Sequence, residues 1–313
     1  MDLRQLAALT AVAEAGSFSA AARRLHTVQS NVSTHIARLE RDLGASLVDR
    51  ATGELTEEGE VVLARARRIH HEIESLRSDV ESMLHEVSGT VRLGCIGTTG
   101  RWLVPRLLAL MAERHPQVHV VIIDATTTSL IPQVVADTLD LAVINLPTAE
   151  HELTTEPLFD EDRIILAPLG HPLAAQARVA LSDLGEHELL LEPVGTAFRD
   201  QLDDQAARIG LEMRALAEID GIRLLTSLAF EGFGPAMVPT TAAPPWIERA
   251  CRRVAVDGLA PRSVGLALPR RGRPSAPARA VRAAIRDLVM ASRQDGVHPT
   301  PDARGSTDPR SRH

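Results

Sequence analysis

The sequence predicts an α/β protein in which a helical N-terminal segment and one long helix precede two sets of alternating strands and helices. Three observations predict it. Apolar residues recur at helical spacing in short runs punctuated by Gly16 and Gly44. A strict four-three repeat then carries Val62, Ala66, Ile69, Ile73, Leu76, Val80, Met83 and Val87. From residue 90, runs rich in valine, isoleucine and leucine alternate with helical patterns, the order that builds strand-helix-strand units.

The chain has 313 residues, room for about two domains, and 44% hydrophobic residues, enough to fill real cores. Its formal net charge is −7, which argues against indiscriminate attraction to nucleic acid, so any such binding must come from a local patch. All 34 basic residues are arginine; this looks like coding bias and is not read as function. Cys95 and Cys251 lie far apart with no partner motif, which fits a reduced, cytoplasmic compartment. The N-terminal stretch MDLRQLAALTAVAEAG is too charged for a signal peptide, and no apolar run approaches a membrane span.

In the first segment, Leu3, Leu6, Leu9 and Val12 form one stripe ending at Gly16, a helix C-cap. Ser17 then N-caps a helix carrying Phe18, Ala21, Ala22 and Leu25, whose alanines allow another helix to approach closely. Thr27 is the expected N-cap of a third helix, with Val28, Val32, Ile36, Leu39 and Leu43 on its apolar side. Two short helices joined by a tight turn, the second polar on its outer face, form a helix-turn-helix pattern. That outer face carries Gln29, Ser30, Ser33 and Thr34, side chains able to hydrogen-bond base edges. Residues 20–41 hold Arg23, Arg24, Arg38 and Arg41 against Glu40 alone, a basic patch on an acidic chain.

The stretch SFSAAARRLHTVQSNVSTHIARLERDLGASLVDR, followed by LTEEGE, resembles the winged helix-turn-helix of LysR-type transcriptional regulators. The resemblance implies that Gln29, Ser30, Ser33 and Thr34 face the major groove, with Arg38 nearby and Arg50 on the backbone beside the wing. Three positions depart from the family pattern: Thr34 replaces a common arginine, Val48 replaces a phenylalanine, and the wing Ala51-Thr52-Gly53-Glu54 lacks an arginine. Each missing phosphate contact lowers affinity and flattens its salt dependence.

The four-three stripe, with glutamate and arginine on its flanks, favours a helix-helix seam between subunits, and in the family this helix is the dimerisation linker. A dimer, or a tetramer built from dimers, would match two recognition helices to two half-sites of operator DNA. The expected organisation is a DNA-binding domain at 1–58, a linker helix at 59–88, an effector domain at 89–293 and a disordered Pro/Gly-rich tail at 294–313. Within the effector domain, lobe I takes about 89–162 and 264–293, and lobe II about 163–263.

Two α/β lobes with a crossover are the design of periplasmic solute-binding proteins, and GTTGRWLVPRLL, DTLDLAVIN and HPLAAQARVALSDL resemble LysR effector-domain segments. The alternation is read as parallel sheets covered by helices. Ligands of such sheets lie beyond the carboxyl ends of the strands, which here supply Thr98, Thr99, Thr128, Ser129 and Asn145, with Gly195 and Thr196 in the other lobe. Hydroxyls converging with helix N-termini suit a small anion or carboxylate, and Arg101 or Arg199 is expected to add charge. No metal-ligand spacing, nucleotide loop, cofactor motif or catalytic constellation stands out, so the expectation is a regulator and not an enzyme. The alternatives are a solute-binding protein without DNA binding, or an enzyme on the same scaffold.

Overall fold

The computed structural model describes residues 1–49, 52–84, 86–243 and 245–300. It divides into two compact units, Met1–Arg77 with Ala136–Thr138, and Ser78–Val135 with Leu139–His313. No helix of the described residues is long and apolar enough to cross a membrane.

The first unit opens with α1 (Leu3–Ala15), α2 (Phe18–Arg24) and α3 (Gln29–Leu43). Their ends are written in the sequence. Asp2 and Gln5 form a capping box, in which each backbone N–H donates to the other's side chain at 2.8–2.9 Å. Gly16 and Gly44 close α1 and α3 in the left-handed conformation that glycine adopts without strain. Ser17 caps α2 by accepting from the Ala20 N–H. The expected cap of α3 is corrected: Val28 occupies that position with no side-chain hydrogen bond, and the Thr27 hydroxyl accepts from Asn31 Nδ2 instead. Leu9, Val12, Ala21, Val32, Ile36 and Leu39 fill the core between the three helices.

A short hairpin follows α3. Val48 bridges Leu55, Asp49 N–H donates to the Glu54 carbonyl, and Glu40 of α3 accepts from the Leu47 N–H at 2.9 Å. Then comes α4 (Glu57–Leu84). It starts two residues before the expected linker and stops short of Ser88.

The second unit holds two six-stranded sheets. Its strands are β1 (Gly89–Cys95), β2 (Val118–Asp124), β3 (Leu141–Leu146), β4 (Leu153–Glu161), β5 (Arg163–Pro168) and β6 (Arg178–Ala180). The set continues with β7 (Glu188–Leu191), β8 (Arg214–Glu218), β9 (Ala236–Pro239), β10 (Cys251–Asp257), β11 (Arg262–Pro269) and β12 (Val297–Pro299). Its helices are α5 (Gly97–Arg114), α6 (Thr127–Val135), α7 (Ala197–Arg208), α8 (Ile222–Phe230) and α9 (Ala276–Met290). Lobe I has the order β12-β4-β11-β3-β1-β2, and lobe II the order β6-β10-β5-β9-β7-β8.

The sheets are mixed, which corrects the parallel expectation. In lobe I, β2, β1 and β3 are parallel, but β11 runs antiparallel to both β3 and β4. In lobe II, β5 runs antiparallel to β9 and β10. The reason is the crossover: the chain leaves lobe I along β4, which runs in the direction of the first three strands, and re-enters it along β11 in the opposite direction. Because β11 begins at Arg262, residues 262–263 belong to lobe I, not lobe II as expected. The tail expectation is corrected too, since β12 pairs with β4 and Val297 joins the lobe I core. Residues 301–313 of that tail lie outside the described residues.

Candidate functional site

Two regions carry the expected chemistry. On α3, Gln29, Ser30, Thr34 and Arg38 are exposed and Ser33 is half-buried, while Val32, Ile36 and Leu39 are buried on the opposite side. The helix therefore presents a polar face beginning at its N-terminus, where no side-chain cap competes for the backbone N–H groups. Gln29 Oε1 accepts from the Ser19 hydroxyl of α2 at 2.9 Å, which orients the amide from the preceding helix. Thr34 behaves differently: its hydroxyl donates back to the Ser30 carbonyl at 2.8 Å. Arg24 is paired with Glu14 at 2.6 Å, so the basic patch is smaller than composition implies, with Arg23 and Arg38 exposed. Arg50 lies outside the described residues.

On α4 the expected seam divides. Ala66 is fully buried in the helix-turn-helix core and Val62 packs against it, so this heptad is held within the chain. Ile69, Leu76, Val80 and Met83 are exposed and Ile73 is half-buried. Val87 lies beyond the end of the helix. The stripe open to a partner therefore begins at Ile69.

The second region is a cavity of about 180 Å³ in the second unit. Its walls include the first residues of four helices: Gly97 and Thr98 of α5, Thr127 and Thr128 of α6, Ala197 and Phe198 of α7, Ile222 and Arg223 of α8. The N-caps of α5 and α8 offer no side-chain hydrogen bond, leaving backbone N–H groups for a ligand. Of the expected residues, Thr98, Thr128, Asn145 and Thr196 line this cavity. Three do not. Thr99 is fully buried with its hydroxyl lacking a hydrogen-bond partner, Ser129 bonds to Thr126 beside the cavity, and Gly195 takes a left-handed turn whose N–H donates to Asp200. Thr99 lies about 100° around α5 from Thr98, which turns its side chain away from the cavity and into the core.

The charges also differ from expectation. Arg199 is drawn away by Asp203, Glu218 and the Glu192 carbonyl, and Arg101 donates to the Ala242 carbonyl. Arg262, unrecognised in the sequence, is the cation at the heart of the site. Its guanidinium is 3% exposed and donates to Glu161 at 2.6 Å, to the Thr98 hydroxyl at 2.7 Å and to Asn145 Oδ1 at 3.2 Å. Glu161 ends β4 and Arg262 begins β11, so the pair sits where both strands pass between the lobes. Glu161 also accepts from the Thr241 N–H of lobe II at 2.7 Å. A signal was present: Arg262 opens a buried strand, ahead of its apolar run SVGLALP, where an unpaired charge would be costly.

Two arginines approach the Phe198 ring, the Arg163 guanidinium at 4.9 Å and the Arg262 guanidinium at 6.0 Å from its centre. Burial, reinforced by Arg262, brings the Arg163 pKa down to about 10. Glu192, also missed, lines the cavity and is 9% exposed. Burial pushes its carboxyl up to about 7; Arg262 pulls it down, Asp220 raises it, and a Thr196 hydrogen bond and Arg163 lower it. Among the described residues no His, Cys, Asp and Glu cluster could hold a metal ion.

Comparison with known proteins bears on both regions. Residues 3–60 match the model for bacterial regulatory helix-turn-helix proteins of the lysR family, and residues 85–289 match the LysR substrate binding domain. The chain belongs to the LysR family. It is a DNA-binding transcriptional regulator of that type, with a two-lobed effector-binding domain behind its helix-turn-helix. Among LysR relatives, a probable hydrogen peroxide-inducible genes activator of Streptomyces viridosporus is 31% identical over 300 residues, covering 92% of this chain and 96% of the relative. The protein of the same description from Mycobacterium avium is 33% identical over 272 residues, covering 86% and 84%. A full-length OxyR variant from Pseudomonas aeruginosa superposes with a TM-score of 0.74 at 25% identity, covering 96% of this chain and 98% of that one. CbnR in complex with its target DNA shares the fold, with a TM-score of 0.69 at 23% identity, covering 93% and 99%.

Proposed function

We propose that this LysR-type regulator binds dyad-symmetric operator DNA as a dimer or dimer of dimers, and that a small anionic ligand in the interlobe cavity sets its regulatory state. Gln29, Ser30 and Ser33 read bases, while Arg38 and Arg50 hold phosphates. The observation that supports DNA reading most is the exposed face of α3, with an uncapped N-terminus and a glutamine oriented by Ser19. The apolar stripe from Ile69 to Met83 is the subunit seam. The cavity suits an anion through its four helix N-termini and Arg262. No step in this role makes or breaks a covalent bond, so the chain acts as a regulator without catalysis. A gel shift with the chain's own upstream DNA tests the reading: a discrete, competitor-resistant complex is expected, and only smeared, salt-labile binding would contradict it.

The relatives named for hydrogen peroxide raise a second reading, in which a thiol of this chain is oxidised. The cysteines argue against it. Cys95 is buried in the lobe I core, where burial drives its thiol up to about 12. Cys251 is buried in the separate lobe II core, its thiol also raised by burial. Peroxide attacks the exposed thiolate, and neither residue provides one. The C95S/C251S double variant should respond to its effector as the parent does. Loss of free thiols from the folded parent at low peroxide concentrations would revive the redox reading.

A further inference from the structure

The proposed anion does not account for all the charge in the cavity. Each arginine of its lining already has a carboxylate: Arg262 pairs with Glu161, and Arg223 pairs with Asp124 at 2.6 Å. Two carboxylates of the lining, Glu192 and Asp220, make no ion pair among the described residues. Both belong to lobe II, Glu192 just after β7 and Asp220 just before α8, whereas the hydroxyls of Thr98, Thr127 and Thr128 belong to lobe I. The cavity thus combines helix N-termini that favour negative charge with two acids outside any ion pair, which favour positive charge even though Arg163 and Arg262 lie near Glu192. A ligand carrying only a carboxylate would meet repulsion from Glu192 and Asp220. A ligand carrying only an amine would leave the uncapped N-termini of α5 and α8 without a partner.

We infer that the effector is a small zwitterion, an α-amino acid or a close analogue, whose ammonium is read by Glu192 and Asp220 while its carboxylate lies against the helix N-termini and Arg262. This rests on the anion reading above and narrows it. The size is compatible, because a cavity of about 180 Å³ has room for a molecule of amino-acid dimensions. Glu192 is the selective element, since an ammonium beside it supplies the charge its burial denies it. The groups facing Glu192 are the Thr196 hydroxyl on α7, Asp220 before α8, Arg163 on β5 and Arg262 on β11. With its carboxyl raised by burial to about 7, Glu192 is mostly neutral at pH 6 and mostly ionised at pH 8. Ammonium binding should therefore strengthen as pH rises, by roughly tenfold over that interval.

The test uses the full chain and a panel of the standard L-amino acids, each beside the 2-hydroxy acid and the amine that match it. Thermal unfolding finds the ligands, and calorimetric titration at pH 6 and pH 8 measures them. At least one amino acid is expected to bind, at least tenfold more tightly than its hydroxy acid and its amine, and more tightly at pH 8. Glu192→Gln, which keeps the shape of the side chain, should erase the preference for the amino acid over the hydroxy acid. Asp220→Asn should reduce it; ligand-free melts show whether either variant is folded. Hydroxy acids binding as well as amino acids would overturn the zwitterion while leaving the anion reading intact. Amines binding as well as amino acids would overturn both, as would the absence of binding by any of the three classes.

Discussion

At the scale of single residues, small stereochemical facts decide what each position tolerates. Gly59 lies in the first turn of α4, where a Cβ would stand 2.1 Å from the Leu47 carbonyl oxygen, a backbone atom that cannot swing aside. Gly59→Ala should cost about 1–3 kcal/mol, read by chemical denaturation as a lower midpoint, because α4 must move off the hairpin. Thr98 and Thr99 form a second contrast. Thr98→Val removes the hydroxyl that accepts from buried Arg262 and should destabilise by about 1–3 kcal/mol, whereas Thr99→Val replaces a buried hydroxyl without a partner and should be neutral or stabilising. Equal effects in the two variants would contradict the assignment of the cavity face. Glu192 sets a pH dependence whose sign follows from its raised carboxyl. Its stabilising effect is complete below the usual carboxylate range and is lost as pH rises through about 7, amounting to roughly 3 kcal/mol. Stability of the ligand-free parent should fall across that window relative to Glu192→Gln, and identical profiles would remove Glu192 from the account.

At the scale of elements, the helical N-terminus was legible because its ends are local. Gly16, Ser17 and Gly44 each act within a few residues, and each does in the structure what its chemistry predicts. β4 was not legible. LTTEPLFDE carries a proline and three acids, and its burial comes from distant partners: β11 beside it, and Arg282 and Arg286 on Glu156. β12 is three residues long, includes a proline and lies at a sheet edge, where a missing N–H is tolerated. Periodicity identified the stripe on α4 without revealing that Ala66 is consumed by the chain's own core while Leu76 remains exposed. Substitution separates the two. Leu76→Glu should leave the monomer folded and weaken the dimer in sedimentation, whereas Ala66→Glu should unfold the helix-turn-helix. Unchanged dimers at micromolar concentration for Leu76→Glu combined with Met83→Glu would rule out this seam.

At the scale of the whole molecule, an acidic chain concentrates its chemistry in two places that sequence spacing located with different success. The polar face of α3 could be read from helix period alone, because buried and exposed positions alternate within one element. The cavity draws on four helices and the strand β11, so its hydroxyls were legible as strand-end residues while Arg262 and Glu192 were not. Their importance depends on the crossover that joins the two sheets, a feature no local pattern encodes. The central claim is that α3 reads operator sequence, and an equilibrium binding titration of the full chain on matched and base-substituted operators at two salt concentrations tests it most directly. Gln29→Ala should flatten the preference among operators by roughly 1–3 kcal/mol with little change in salt slope, while Arg38→Ala should weaken all sequences alike and reduce the slope by about one. Unchanged affinity and unchanged preference for Gln29→Ala would contradict the claim.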